Sequence, residues 1–169
     1  GILAGSPATL LRCVAVPPRE SMDRAGPASL DLVIPIYDEE RALPTLLSRL
    51  DEVFSADALA DRGISSVRYW LIDDGSRDRS AALIRDHQGL PGRVILVRLS
   101  RNFGHEAAIE AGMRDARGDA AIVMDADLQD SPEALPELVV RWREGTDVAY
   151  VVRKDRTEGV IQRAAFTAF

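Results

Sequence analysis

From Leu30 onward the apolar positions follow two alternating patterns, short near-continuous runs and stripes recurring every three to four residues. Residues 30–36 form the first run, the kind shown by a strand buried on both faces. Leu43, Leu46, Leu47, Leu50 and Phe54 then recur at helical spacing. Residues 67–72 and 94–99 predict further strands, with a polar helix between them from about residue 79 to 87. Ala108, Ile109, Gly112, Met113 and Ala116 make one helical stripe, and residues 120–124 read as strand again. Ser131-Pro132-Glu133 has the composition of a helix start: a capping hydroxyl, a proline at the first helical position and an acid near the positive end of the dipole. Residues 147–152 predict a last strand, and a helix is expected to begin near Gly159 and still to be running at Phe169.

Strands alternating with helices imply an α/β fold, a mostly parallel sheet with helices on both faces. The first 29 residues hold Pro7, Pro17, Pro18 and Pro27 with scattered Gly and Ser and keep no period, so they read as a loose leader. Met22 is a candidate natural start, which would make residues 1–21 foreign to the native chain.

Length and charge narrow the possibilities. A chain of 169 residues has room for one core. Its formal charge of -6 argues against a general nucleic-acid binder, which needs a basic field, though not against a local anion site. Cys13 is the only cysteine, so neither an internal disulfide nor a thiolate metal cluster can form, which suits a reducing compartment. No stretch reaches the roughly 18 apolar residues of a membrane span. Arg12 interrupts the mildly apolar residues 10–16, and no basic start precedes them, so a signal peptide is not expected either.

In an open α/β sheet, ligands bind beyond the carboxyl ends of the strands. Three predicted strands run into polar clusters there: Tyr37-Asp38-Glu39-Glu40, Asp73-Asp74-Gly75-Ser76 and Asp125-Ala126-Asp127-Leu128-Gln129-Asp130. One such cluster is equally well a solvated turn, but three on one edge would repel unless a cation or hydrogen-bond donors held them. Asp125, Asp127 and Gln129 occupy alternate positions, so in an extended chain their side chains point the same way. Their oxygens suit Mg²⁺ or Mn²⁺, which takes one or two carboxylates and leaves places for substrate phosphates and water. Neither G-x-G-x-x-G nor G-x-x-x-x-G-K-[ST] occurs, so a phosphate ligand would be held by metal and cationic side chains. Arg153, Lys154, Arg156 and Arg163 follow the last strand as candidates, with a solvated charged turn as the alternative.

Four segments in order carry a resemblance: Ile34-Pro35-Ile36-Tyr37-Asp38-Glu39-Glu40, Asp73-Asp74-Gly75-Ser76-Arg77-Asp78, Ser100-Arg101-Asn102-Phe103-Gly104-His105-Glu106-Ala107-Ala108 and Met124-Asp125-Ala126-Asp127-Leu128-Gln129-Asp130. Together they resemble the family 2 glycosyltransferases, in the branch that makes dolichyl- or undecaprenyl-phosphate sugars, over about residues 30–169. The resemblance implies a Rossmann-like A-type glycosyltransferase fold with a divalent metal. Carried over, Pro35, Tyr37 and Glu39 would line the nucleoside pocket, and Ile72 and Asp74 would meet base and ribose. Asp125, Ala126 and Asp127 would contact the donor, with Asp125, Asp127 and Gln129 at the metal, and Arg153 would lie on the donor diphosphate. Asp125, Asp127 and Arg153 are thus the expected catalytic set. The Arg101–Ala108 motif is characteristic of the branch but receives no assigned contact, and His105 is expected to cap or pack at the start of its helix. Asp38 stands where many relatives have Asn, and Val151 where many have Gly.

The reaction so implied is inverting transfer from a nucleotide diphosphate sugar, with UDP-glucose favoured, to a polyprenyl phosphate. Relatives continue past residue 169 into membrane-associated helices, so the expected organisation is an incomplete glycosyltransferase domain. This piece would be soluble, and the full-length protein would sit on the cytoplasmic face of the membrane, with homo-oligomerisation open. Ala164, Ala165, Phe166 and Phe169 would begin an interfacial or ordinary terminal helix, too short to anchor a domain. Other readings remain: a sugar-nucleotide-binding domain without turnover, transfer to a polysaccharide, a nucleotidyltransferase, or a phosphotransferase using Asp125 as nucleophile.

Overall fold

The computed structural model describes residues 11–15, 26–152 and 165–168, with side chains from 26 to 151. Its elements run β1 (Leu11–Ala15), β2 (Ala28–Ile36), α1 (Leu43–Val53), α2 (Ala56–Asp61), β3 (Ile64–Asp73), α3 (Ser80–Asp86), β4 (Arg93–Arg98), α4 (His105–Asp115), β5 (Ala120–Val123), a 3₁₀ turn (Pro132–Ala134), α5 (Leu135–Arg143), β6 (Val148–Val152) and β7 (Ala165–Ala168). They form one sheet in the order β4-β3-β2-β5-β1-β6-β7.

The first four strands in that order are parallel, as the near-continuous burial of β2 requires. β2 is flanked on one side by β3, with Ile36 opposite Asp73, and on the other by β5, with Val33 opposite Val123. Helices cover both faces. α1 and α5 bury Leu46, Leu50, Leu138 and Trp142 in the larger core. α4 packs on the opposite face, where Ala108 joins Val33, Ile72 and Val123. Gly112 permits that approach, since a Cβ there would sit 2.5 Å from Cγ1 of Val33.

Several expectations need correction. Residues 11–15, inside the segment read as a leader, form a strand antiparallel to both β5 and β6. Residues 165–168, expected to be helical, form a strand antiparallel to β6. Gly159 and the rest of 153–164 lie outside the described residues. The helix start at Ser131 opens a 3₁₀ turn, and the serine hydroxyl donates to the Glu133 carboxylate instead of capping backbone N–H groups. The α-helix proper begins at Leu135. α2 was not anticipated because it buries no residue and leaves no apolar stripe.

One polar residue sits deep in this frame. Asp31, on β2, is fully buried and accepts hydrogen bonds from Nε and Nη2 of Arg68 (2.6 and 2.8 Å) and Nε1 of Trp70 (2.9 Å). The N–H groups of Arg117 and Gly118 donate to the same carboxylate, each at 2.6 Å. It thereby ties β2 to β3 and to the turn between α4 and β5. Burial pushes its pKa up, but the donors from Arg68, Trp70, Gly118 and Arg117 outweigh that effect and hold it below the ordinary aspartate value. Asp31→Ala should therefore cost about 3–5 kcal/mol in urea unfolding, because a half-buried guanidinium, the Trp70 ring N–H and two backbone donors lose their acceptor. A depressed carboxylate stabilises the fold above its unfolded pKa and loses that contribution as pH falls through the folded value. The gap between wild type and variant should be full at pH 7 and narrow below the ordinary value of 3.8; a gap independent of pH would count against this account.

Candidate active site at the carboxyl edge of the sheet

β2, β3 and β5 run in parallel and deliver their carboxyl ends to one edge. β6 points the same way as β5, because each is antiparallel to β1 between them. The loop after β2 is stitched to the loop after β3. The Asp38 N–H donates to Oγ of Ser76 (3.0 Å), and the Glu39 N–H to Oγ of Ser80 (2.9 Å). In return, Oδ1 of Asp38 accepts the Arg77 N–H at 2.7 Å. Asp38 has φ +54°, a left-handed conformation that Asn and Asp tolerate better than most residues. The departure from Asn thus keeps both the backbone shape and an acceptor oxygen.

At this edge lies a concavity of about 250 Å³ lined by Pro35, Tyr37, Glu39, Asp74, Asp125, Ala126 and Asp127, with Ile36, Asn102, His105 and Ala108 completing it. Seven of the expected site residues therefore meet in one place. Ile72 does not join them: it is wholly buried and packs against α4. Gln129 is exposed and outside the lining. The alternation argument assumed an extended chain, but β5 ends at Val123 and Leu128 takes φ +60°. Oδ1 of Asp127 accepts the Gln129 N–H at 2.9 Å, closing a turn in place of a third strand position. Arg153 lies outside the described residues.

The electrostatics of the lining bear on a metal. The carboxyl of Glu39 is pushed up by its burial and then by the negative charges of Asp127, Asp78 and Asp125. A region that disfavours one more negative charge favours a cation. Among the described residues no group of three or more ligating side chains already converges as a metal shell. What the concavity offers is two carboxylates, Asp125 and Asp127, the number a Mg²⁺-like ion takes when phosphates and water complete its coordination. The donor set fits.

Residues of the Arg101–Ala108 motif were left without a contact, and they make part of the wall. Nε2 of His105 lies 3.4 Å from Oδ1 of Asp125, so this histidine faces the acidic cluster and is not simply packed away. Asp74 holds that wall in place. It is almost fully buried, and its two oxygens accept the N–H groups of Phe103 (2.8 Å) and Gly104 (2.9 Å). Gly75 allows the close approach, since a Cβ on it would lie 2.5 Å from the Arg101 carbonyl carbon. The loop is pinned from below by Asp73, which accepts the Ser76 N–H and pairs with Arg98. Polar clustering just ahead of a helix was the signal available in the sequence.

A family model described as glycosyl transferase family 2 matches residues 31–165. The chain is 42% identical over 125 residues to the uncharacterized glycosyltransferase YkcC of Bacillus subtilis, covering 74% of this chain and 37% of that protein. It is also 42% identical over 137 residues to undecaprenyl-phosphate 4-deoxy-4-formamido-L-arabinose transferase of Aeromonas hydrophila, covering 80% of this chain and 40% of that one. The chain thus spans about two fifths of the length of these relatives. Among solved structures, glucosyl-3-phosphoglycerate synthase of Mycobacterium tuberculosis, in complex with Mn²⁺, UDP and glucosyl-3-phosphoglycerate, superposes with a TM-score of 0.53 at 18% identity. That match covers 73% of this chain and 42% of the synthase and shows a shared fold.

If Asp74 is the anchor of the 102–105 wall, Asp74→Ala should speed amide hydrogen exchange at Phe103 and Gly104 by roughly tenfold or more, the equivalent of one charge-assisted hydrogen bond. Exchange in β2 should stay as in wild type. Unchanged protection at both amides would show that the loop is held by something else.

Proposed function

Because the chain belongs to glycosyl transferase family 2, we propose that it is the donor-binding domain of an enzyme that transfers a sugar from a nucleotide diphosphate sugar to a polyprenyl phosphate. The observation that carries the donor half is the gathering of Glu39, Asp125 and Asp127 around one concavity, where burial and then the neighbouring acids push the Glu39 carboxyl up. The acceptor half is supported by relatives such as the Aeromonas hydrophila transferase, whose name specifies undecaprenyl phosphate. A UDP-sugar is the favoured donor. Transfer belongs to the full-length protein, working at the cytoplasmic face of the membrane. Among the described residues no helix is long and apolar enough to cross a bilayer.

Pro35 and Tyr37 take the nucleoside, with Tyr37 offering a partly exposed ring as a stacking face. Asp125 and Asp127 would hold Mg²⁺ or Mn²⁺, and Gln129 would have to swing in from outside the lining to join them. A bound divalent ion supplies Lewis-acid neutralisation of the diphosphate as negative charge builds on it. Arg153 would add a guanidinium to the same phosphates. The acceptor phosphate is already anionic near neutral pH, its second pKa being about 6. No strong general base is required, and direct attack on the anomeric carbon inverts its configuration. Catalysis rests on positioning and electrostatics.

Two measurements test the donor half. In titration calorimetry UDP should bind in Mn²⁺ and lose roughly tenfold or more in affinity with Asp127→Asn or in excess EDTA, by analogy with the loss of one charge-assisted contact. Full affinity in EDTA would sink the metal assignment. Arg153→Ala should weaken UDP by about ten- to hundredfold while leaving uridine unaffected; equal losses for both ligands would remove Arg153 from the diphosphate.

A further inference from the structure

The segment joining β4 to α4 differs in chemistry from the rest of the site. The acids come from the ends of β2, β3 and β5, whereas this segment carries Arg101 and Phe103, both exposed, on either side of Asn102, which lines the concavity. The Phe103 ring is 50% exposed, and the Arg101 guanidinium carbon lies 4.5 Å from its centroid. A single exposed aromatic is ordinary on a protein surface. Here, however, the ring stands on a backbone fixed by a buried carboxylate, Asp74, and shares its face with a cation at the rim of the site. Of the other exposed large hydrophobics, Tyr37 is itself in the lining, whereas Val94, Val140 and Val148, unlike Phe103, are not next in sequence to a lining residue.

An anion entering this site meets the field of Glu39, Asp125 and Asp127, in a chain of net charge -6. It would need a cation at the entrance, and an anion with a hydrocarbon tail would also need apolar surface beside that cation. We propose that Arg101 and Phe103 are the acceptor-side contact. The guanidinium takes the phosphate of an isoprenoid phosphate, and the ring takes the first carbons of its chain. A guanidinium stacked on a ring still presents its edge N–H groups for bidentate contact with phosphate oxygens. Asp74 and Gly75 are the positioning residues, because they set the height of the segment above the site. The inference rests on the transferase reading above, and it places the acceptor at the rim next to Asn102 and His105.

The test is calorimetry on the chain in UDP and Mn²⁺, using geranyl phosphate as a water-soluble probe. Wild type should bind geranyl phosphate more tightly than inorganic phosphate or geraniol. Arg101→Ala should weaken it by roughly tenfold or more, the effect of one charge-assisted contact, and Phe103→Ala should weaken it several-fold. Both exposed positions should tolerate substitution without loss of fold, which UDP affinity within twofold of wild type would verify. Wild-type geranyl phosphate binding by both variants overturns the proposal, as does no binding by a wild type that still binds UDP. Equal affinity for a soluble short-chain phosphatidylglycerol also overturns it, by making the pair a general membrane contact. Loss of UDP binding in the wild type itself would overturn the transferase reading and the inference with it.

Discussion

The site depends on β2 having parallel partners on both sides. An antiparallel neighbour would send its following loop to the far edge, and the acids of that loop would never meet the others. Parallel pairing requires a crossover between strands: α1 and α2 lie in the one from β2 to β3, and α3 and α4 in the path from β3 through β4 to β5. The same pairing buries β2 on both faces and makes an ionised group within it costly unless saturated with donors. Asp31 meets that condition with side-chain and backbone donors contributed by β3 and by the turn before β5. The strand that organises the chemistry is thus locked to its neighbours by a polar contact as well as by its ladders.

Electrostatic cost explains much of the remaining design. Carboxylates from separate loops crowd one concavity. Asp73 is paired with Arg98, and Asp74 is saturated by backbone N–H groups. The Glu39 carboxyl is pushed up, first by its burial and then by the charges of Asp127, Asp78 and Asp125. Acids held by Arg98 or by backbone N–H groups build the frame, and the crowding of charge around Glu39 is what the proposed cation would relieve.

Much of this was legible in the sequence. Runs and stripes located β2 to β6, α1 and α4 because burial on one or both faces imposes a period, while α3 showed only as a polar helix between two runs and α5 through the helix-start signal at Ser131. The acidic ends of β2, β3 and β5 then named most of the lining. What escaped reading had no such period or depended on the path of the backbone. β1 and β7 are short strands of 5 and 4 residues, indistinguishable locally from loop or helix. Gln129 lies outside the lining because Leu128 turns the chain, and no side-chain pattern announces a left-handed residue that is not glycine or asparagine. Asp74 shows the reverse difficulty: its position at a strand end suggested a ligand contact, while its two oxygens are engaged with the neighbouring loop.

β1 has a consequence for how the sheet is assembled. Arg12 pairs with Val123 and Leu11 with Val151, so this strand can close only once the chain has been made through β6. Until it docks, β5 and β6 each present a bare row of N–H and C=O groups, and β5 leads into the candidate site. Contacts so distant in sequence are slow to form, and open edges of this kind invite pairing with other chains. During synthesis β1 is made long before β6, the later of its two partners. A chain begun at Met22 would have no such strand to insert, and its β5 and β6 would have to find another partner or remain apart.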